Sequence, residues 1–135
     1  MDVTLLVLVE STGPDPCATR FLREHPTGQL IEADDAAART CAAISARDPA
    51  PPLVIAAAGR AALQLPAVAL AQRSAHRRVL EYVLLDPVIP TVSDAWPDAR
   101  VTVVCDVDSE ASLQSRLRGW DVLRVEDIEN WRPPD

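Results

Sequence analysis

The chain contains no lysine. Its 13 basic residues are all arginine, and they face 20 acidic ones, giving a formal net charge of −7. No basic run is present. A phosphate backbone or an anionic membrane surface needs one, so neither a nucleic-acid partner nor a membrane partner is expected. Cysteine is sparse as well: Cys17, Cys41 and Cys105 are odd in number and far apart. No CxxC pair or Cys/His ligand set exists, which predicts no metal site and no disulfide framework. The thiols read as reduced, packing residues of a cytoplasmic protein. No cofactor motif is found. Long hydrophobic runs are missing too. The longest, such as VTLLVLV at 3–9, are strand-length and fall short of a membrane span. Asp2 precedes that run and no small-residue cleavage site follows, so a signal peptide is not expected.

What is present fits one soluble globular domain over residues 1–135, with 48% apolar and 24% charged residues. Apolar runs alternate with helical patterns. Strands are predicted at 3–10, 28–33, 52–57, 79–86, 99–106 and 120–126. Helices are predicted at 15–25, where Asp15 and Pro16 supply a cap and a first turn, and at 34–47, which opens on two carboxylates. A long helix is predicted over 61–78, and a further one over 109–119, capped by Ser109 and closed by Gly119. Residues 127–131 allow a turn or two of helix before the final prolines. Six strands with helices between most of them predict an α/β fold with a mainly parallel sheet in three layers. Several strands are apolar on both faces, as a sheet covered on both sides requires. No repeat or low-complexity linker is found. The irregular stretch at 87–98 is the longest loop.

The order of elements resembles the α/β-hydrolase family. LLVLVESTGPDP is similar to the family's strand ending in His-Gly, which supplies an oxyanion-hole donor. VIAAAGRAALQLPAVALA stands where the strand, nucleophile elbow and central helix belong. RRVLEYVLLDPV resembles the next strand, which commonly ends in Leu-Asp-Pro. PDARVTVVCDVDSEAS resembles the strand leading to the catalytic acid, and GWDVLRVED the last strand before the catalytic histidine. The resemblance implies a minimal core without a cap domain, with strand order 2-1-3-4-5-6. The family's first two strands would precede Met1. A lid is missing unless the loop at 87–98 serves as one.

The motif residues depart from the family's. Its elbow reads small-x-Ser-x-small, because the turn is too tight for bulk at the flanks. With Ala58 at the nucleophile position the flanks are Ala56 and Arg60, which breaks the size rule. With Gly59 there, the flanks are Ala57 and Ala61, and glycine tolerates the strained backbone of an elbow. Neither register offers an oxygen or a sulfur. Both histidines, His25 and His76, are expected at the far end of the sheet, and Glu126-Asp127 follow the last strand where the resemblance places a histidine. Glu10-Ser11 stand in place of His-Gly, and a carboxylate there would repel a developing oxyanion. Asp106 or Asp108 occupies the position of the acid. Pro66 predicts either a kink in the long helix or a late start, and a late start would carry the helix dipole away from the elbow.

Ligands of open α/β sheets bind beyond the strand C-termini, at the switch in strand order. That gathers Glu10, Ser11, Ala58, Gly59 and Arg60, with Asp86, Trp96, Asp106 and Asp108 lining the same face. Arg60 could hold a carboxylate or phosphate. Two functions of different class follow. One is a non-hydrolytic binding or accessory protein, a pseudoenzyme taking a small molecule, an acyl group or a peptide. The other is an epimerase, cyclase or lyase using Glu10, Asp106 and Asp108 for acid–base catalysis. A hydrolase working through Cys105 or Ser11 is a third. The second and sixth strands are expected at the sheet edges, which predicts a homodimer or a hetero-complex through one of them.

Overall fold

The structure, a computed structural model, describes residues 2–11 and 15–134. Its centre is a six-stranded sheet in the order β2-β1-β3-β4-β5-β6. The strands are β1 (Thr4–Glu10), β2 (Gln29–Ala33), β3 (Leu53–Ala58), β4 (Val79–Leu85), β5 (Arg100–Cys105) and β6 (Asp121–Arg124), and every neighbouring pair is parallel. Parallel pairing requires a crossover between consecutive strands, so both faces become covered and the central strands must be apolar throughout. β3 meets that demand: all of LVIAAA is buried.

The helices α1 (Pro16–Glu24), α2 (Ala37–Arg47), α3 (Leu65–Ser74) and α4 (Glu110–Leu117) divide between the two faces. Alternate strand residues Leu6, Leu8, Ile55, Tyr82, Leu84 and Val103 pack with Ile44 of α2 and Val68 of α3. Leu5, Val7, Val54, Ala56, Val83 and Val104 face the other way, against Phe21 of α1 and Ile128 and Trp131 of the C-terminal segment. The result is a three-layer α/β sandwich. Among the described residues no helix is long and apolar enough to cross a membrane.

The caps show how local sequence sets the boundaries. Asp15 accepts a hydrogen bond from the Ala18 N–H at 3.0 Å, and Pro16 fills the first turn of α1. Ser109 caps α4 through the Ser112 N–H at 3.1 Å, and Gly119 follows it with φ +75°. α2 begins later than its two aspartates suggest. Asp34 folds back to accept from the Ala36 N–H at 3.1 Å, and its own N–H donates to Thr40 Oγ1 at 3.0 Å. An aspartate that bonds backbone two residues on makes a turn in place of a first helical turn.

The expected helix over 61–78 divides in two. Residues Gly59–Gln64 form a 3-10 turn, and the α-helix starts at Leu65 with Pro66 in its first turn. Proline lacks the N–H an interior position would donate, so the helix starts where that N–H is not needed. Pro66 therefore marks a late start and not a kink.

The loop at 87–98 connects β4 to β5. β4 ends at one edge of the sandwich and β5 begins at the other, and no helix joins them, so these residues make the whole crossover. Ile89 and Trp96 pack on the α2/α3 face along the way. Trp96 is fully buried, edge-on to Tyr82 at 5.6 Å and to Trp120 at 5.7 Å between ring centroids. Beside it the Tyr82 hydroxyl donates to Asp98 Oδ1 at 2.6 Å, and Arg73 NH1 ties Asp98 Oδ2 and the Ala95 carbonyl to the end of α3. Burial, and the Asp98 carboxylate next, hold the Tyr82 phenol protonated far above its ordinary range.

Candidate functional site

The C-terminal ends of β1, β3, β4 and β5 come level with one another. Leu8 pairs with Ala57, Ala58 with Leu85, and Leu85 with Val104. One or two residues further along each strand, Glu10, Gly59, Asp86 and Asp106 gather at one mouth. Parallel strands alone produce this gathering, since each delivers its next residue to the same edge.

At its centre is the turn after β3. Ala58 is buried, with 2% of its surface exposed, and ends the strand in extended backbone. Gly59 carries the left-handed conformation, φ +57°, which glycine tolerates best. A Cβ added there would lie 3.7 Å from Asp15 Oδ2 and 3.8 Å from Glu10 Oε2. A side chain at this position would thus point between two carboxylates. The Gly59 carbonyl accepts from the Val88 N–H at 3.1 Å, which pins the turn to the segment after β4. The α3 N-terminus is displaced from the turn by the 3-10 segment, so the helix dipole does not aim at the elbow.

Asp86 also takes a left-handed backbone, φ 44°, while its N–H donates to the Val104 carbonyl at 2.7 Å. Asp86 is exposed at the mouth, yet desolvation by the surrounding chain first, then the carboxylates of Asp15 and Asp106, push its carboxyl above the ordinary range. The same acids act on the thiols beneath. Burial, then Asp15 and Asp86, push Cys17 up to about 12, and burial pushes Cys105 up as well, with Asp86 and Asp106 adding to it. Both sulfurs are buried neutral thiols, which are poor nucleophiles.

Arg60 is the basic group at the mouth. Its Nε lies 3.8 Å from Glu10 Oε1, and 70% of its side chain is exposed. Between the ends of β1 and β2 and the 3-10 turn is a pocket of about 180 Å³ lined by Glu10, Ser11, Asp34, Asp35, Arg60 and Gln64, with Ala33 and Ala61 as its small walls. The Gln64 amide N–H donates to the Asp34 carbonyl. The backbone N–H of Ala36 most of all, and Arg39 as well, hold Asp34 below the ordinary carboxylate range.

The structure thus brings together Glu10, Gly59, Asp86 and Asp106, and places Ser11 and Arg60 in the adjoining pocket. Asp108 sits exposed in the turn before α4 and acts on none of the shifted groups. Glu126 lies in the 3-10 segment Val125–Asn130, 3.7 Å from Arg124 NH1. Trp96 does not join the site, because the crossover has carried it to the far end of the sheet. His25 follows α1 and His76 follows α3, both also at that far end. Burial, then Arg132, lower the proton affinity of His25. The portion of the oxyanion-loop comparison on residues 12–14 lies outside the described residues. Asp15 is a site residue that the sequence pattern hides, since its capping role accounts for it fully. Among the described residues no group of three or more His, Cys, Asp or Glu is arranged to hold a metal ion.

No family model matches the chain, and no curated protein matches it. Among solved structures, it resembles a NocB thioesterase domain determined as a covalent complex with a fluorophosphonate nocardicin G analog. The likeness covers 96% of this chain and 88% of that one, with a TM-score of 0.58 and 12% identity. The fold is α/β-hydrolase-like. At that identity the likeness speaks to the arrangement of strands and helices, and the chemistry rests on the residues at the mouth.

The acid-lined mouth has a measurable consequence. Because native Asp86 holds its proton more tightly than the unfolded chain does, the stability linked to that proton is present at low pH. It is lost as pH rises through the raised native value. Asp86→Asn should therefore raise the thermal midpoint at neutral pH, and asparagine also tolerates the left-handed backbone. The gain should fade below the ordinary value of 3.8, where both states are protonated. Thermal scans across the acid range check this, and equal midpoints at neutral pH would contradict it.

Proposed function

We propose that the chain is a non-hydrolytic binding or accessory protein on an α/β-hydrolase-like fold, a single domain that takes a small molecule, an acyl group or a peptide at the strand-end mouth. The observation that carries this reading is the elbow. Its apex is Gly59, with no hydroxyl or thiol, and the space a nucleophile would occupy faces Asp15 and Glu10. Covalent acyl transfer needs a nucleophile, a base in hydrogen-bond reach and donors for an oxyanion. Here carboxylates surround the apex, and both imidazoles are at the other end of the sheet. The pocket beside the elbow is polar, and Arg60 offers it an exposed guanidinium for an anionic group on the ligand.

A second reading has its own support. Asp86 is pushed toward its protonated form, with Asp15 and Asp106 among the causes, and a carboxyl that keeps its proton beside other acids is equipment for acid–base catalysis without a covalent intermediate. Such an enzyme would be an isomerase, a cyclase or a lyase. Assembly as a homodimer or hetero-complex through the β2 or β6 edge belongs to the same proposal, as does a cytoplasmic setting.

Co-crystallisation with a panel of small acids, amides and acyl compounds, followed by calorimetry, tests the binding reading. Arg60→Ala should then weaken the anionic ligand by roughly 1.5–3 kcal/mol, the scale of a charged hydrogen bond. Affinity within twofold of wild type would remove Arg60 from the site. If the ligand is instead turned over without hydrolysis, Asp106→Asn should abolish turnover while binding persists, and the enzyme reading takes its place.

A further inference from the structure

At the opposite end of the sheet lies a second groove, of about 470 Å³, lined by Arg73, His76, Arg77, Arg78, Val79 and Asp98. It concentrates positive charge in a chain whose net charge is −7. Cations after a helix C-terminus often serve only to bond its last carbonyls. These do not. Arg73 NH1 bonds the Ala95 carbonyl and Asp98 Oδ2, at 2.8 and 3.0 Å. Arg77, with 12% of its side chain exposed, donates to Gln72 Oε1 at 3.1 Å and Asp48 Oδ1 at 3.3 Å. Arg78 is exposed and makes no side-chain hydrogen bond or ion pair among the described residues. Gln72, beneath Arg77, is fully buried, and its Nε2 has no acceptor. The acceptors present, the carboxylates of Asp98 and Asp48, the Ala95 carbonyl and the Gln72 amide oxygen, are spent on Arg73 and Arg77, and the Arg78 fork is left uncommitted.

We propose that this groove binds the phosphoryl group of a small molecule, a phosphate monoester or a pyrophosphate. A phosphoryl group presents three terminal oxygens to donors arriving from several directions, and guanidinium forks match its geometry. A carboxylate offers two oxygens in one plane and satisfies fewer. The groove is larger than a phosphoryl group needs, and Val79 gives an apolar wall for the organic part. Arg78 supplies the free charge, while Arg73 and Arg77 are held in place by Asp98 and Asp48. The site is independent of the mouth at the strand C-termini, which lies across the full length of the strands.

The test is NMR titration of the full chain, isotope-labelled at arginine, with inorganic pyrophosphate, glycerol phosphate and acetate at constant ionic strength. Pyrophosphate and glycerol phosphate should move the Arg73, Arg77 and Arg78 side-chain signals and leave Arg116 in place. Acetate should move none at the same concentration. Arg78→Ala removes no contact the fold uses, so it should fold normally and bind pyrophosphate about tenfold more weakly. Arg116→Ala, at an exposed position of α4 outside both pockets, should bind as wild type does. The proposal is overturned if millimolar pyrophosphate moves none of the three groove arginine signals, if acetate binds there equally well, if the shifts fall on Arg60 and not on the groove, or if Arg78→Ala keeps wild-type affinity.

Discussion

Trp131→Ala should cost about 3–5 kcal/mol of stability, the range for deleting a buried tryptophan. Trp131 is 6% exposed, and its ring meets Phe21 at 5.2 Å and His25 at 4.9 Å. Its Nε1 also donates at 2.6 Å to Oε2 of Glu81, a carboxylate with 1% of its surface exposed on the central strand β4. The other Glu81 oxygen makes no hydrogen bond, and Arg100 Nε lies 3.8 Å from it. Trp131 is therefore the hydrogen-bond donor that makes this buried acid tolerable. Trp131→Phe keeps most of the ring contacts and removes only the donor, so it should still cost about 1–3 kcal/mol. Removing the acid as well, in Trp131→Phe with Glu81→Leu, should recover part of that loss, because an apolar pair leaves nothing unsatisfied. Urea unfolding of the set checks this. A Trp131→Phe protein within about 0.5 kcal/mol of wild type would show the hydrogen bond to be unimportant.

Trp96→Ala should be about as damaging, again roughly 3–5 kcal/mol. The same substitution should leave the strand-end mouth unaltered wherever the protein remains folded. Trp96 is fully buried between Tyr82 and Trp120, at the end of the sheet where Arg73 and Tyr82 both hold Asp98. Trp96→Phe, a milder cavity, keeps enough folded protein for a binding measurement. Equal ligand affinity with a lowered unfolding midpoint is the expected pair of results. Lost affinity with unchanged stability would return Trp96 to the mouth.

Trp96 also shows where sequence reading failed and why. The sequence only leaves open that the long, irregular stretch from 87 to 98 serves as a lid, and it sets Trp96 among the residues lining the mouth. Yet Trp96 stands four residues before Arg100, where a parallel strand begins. A residue so close to a strand's N-terminus belongs to the end opposite the site, and that signal was available. The fold itself was legible for physical reasons. An unbroken apolar run such as LVIAAA fits only a sheet covered on both faces, and alternation of strands with helical segments implies parallel order. Asp15-Pro16 and Ser109 marked helix starts because their side chains bond backbone N–H groups locally. Asp34-Asp35 misled for the converse reason: Asp34 spends its local hydrogen bond on a turn, and the helix waits until Ala37. At the site, each strand delivers its last residue or the one after it, so Glu10, Gly59, Asp86 and Asp106 could be listed from strand ends alone. Asp15 could not, because its approach to Gly59 depends on how α1 packs across β1 and β3, a tertiary fact without a local mark.

The most direct test of a mouth without a nucleophile is reaction with a fluorophosphonate probe, read by intact mass, beside p-nitrophenyl acetate hydrolysis. With Gly59 at the elbow and Cys17 and Cys105 buried as neutral thiols, the expected result is an unmodified mass and a hydrolysis rate equal to buffer. Stoichiometric labelling of a serine, Ser11 above all, with matching loss of esterase turnover, would contradict it.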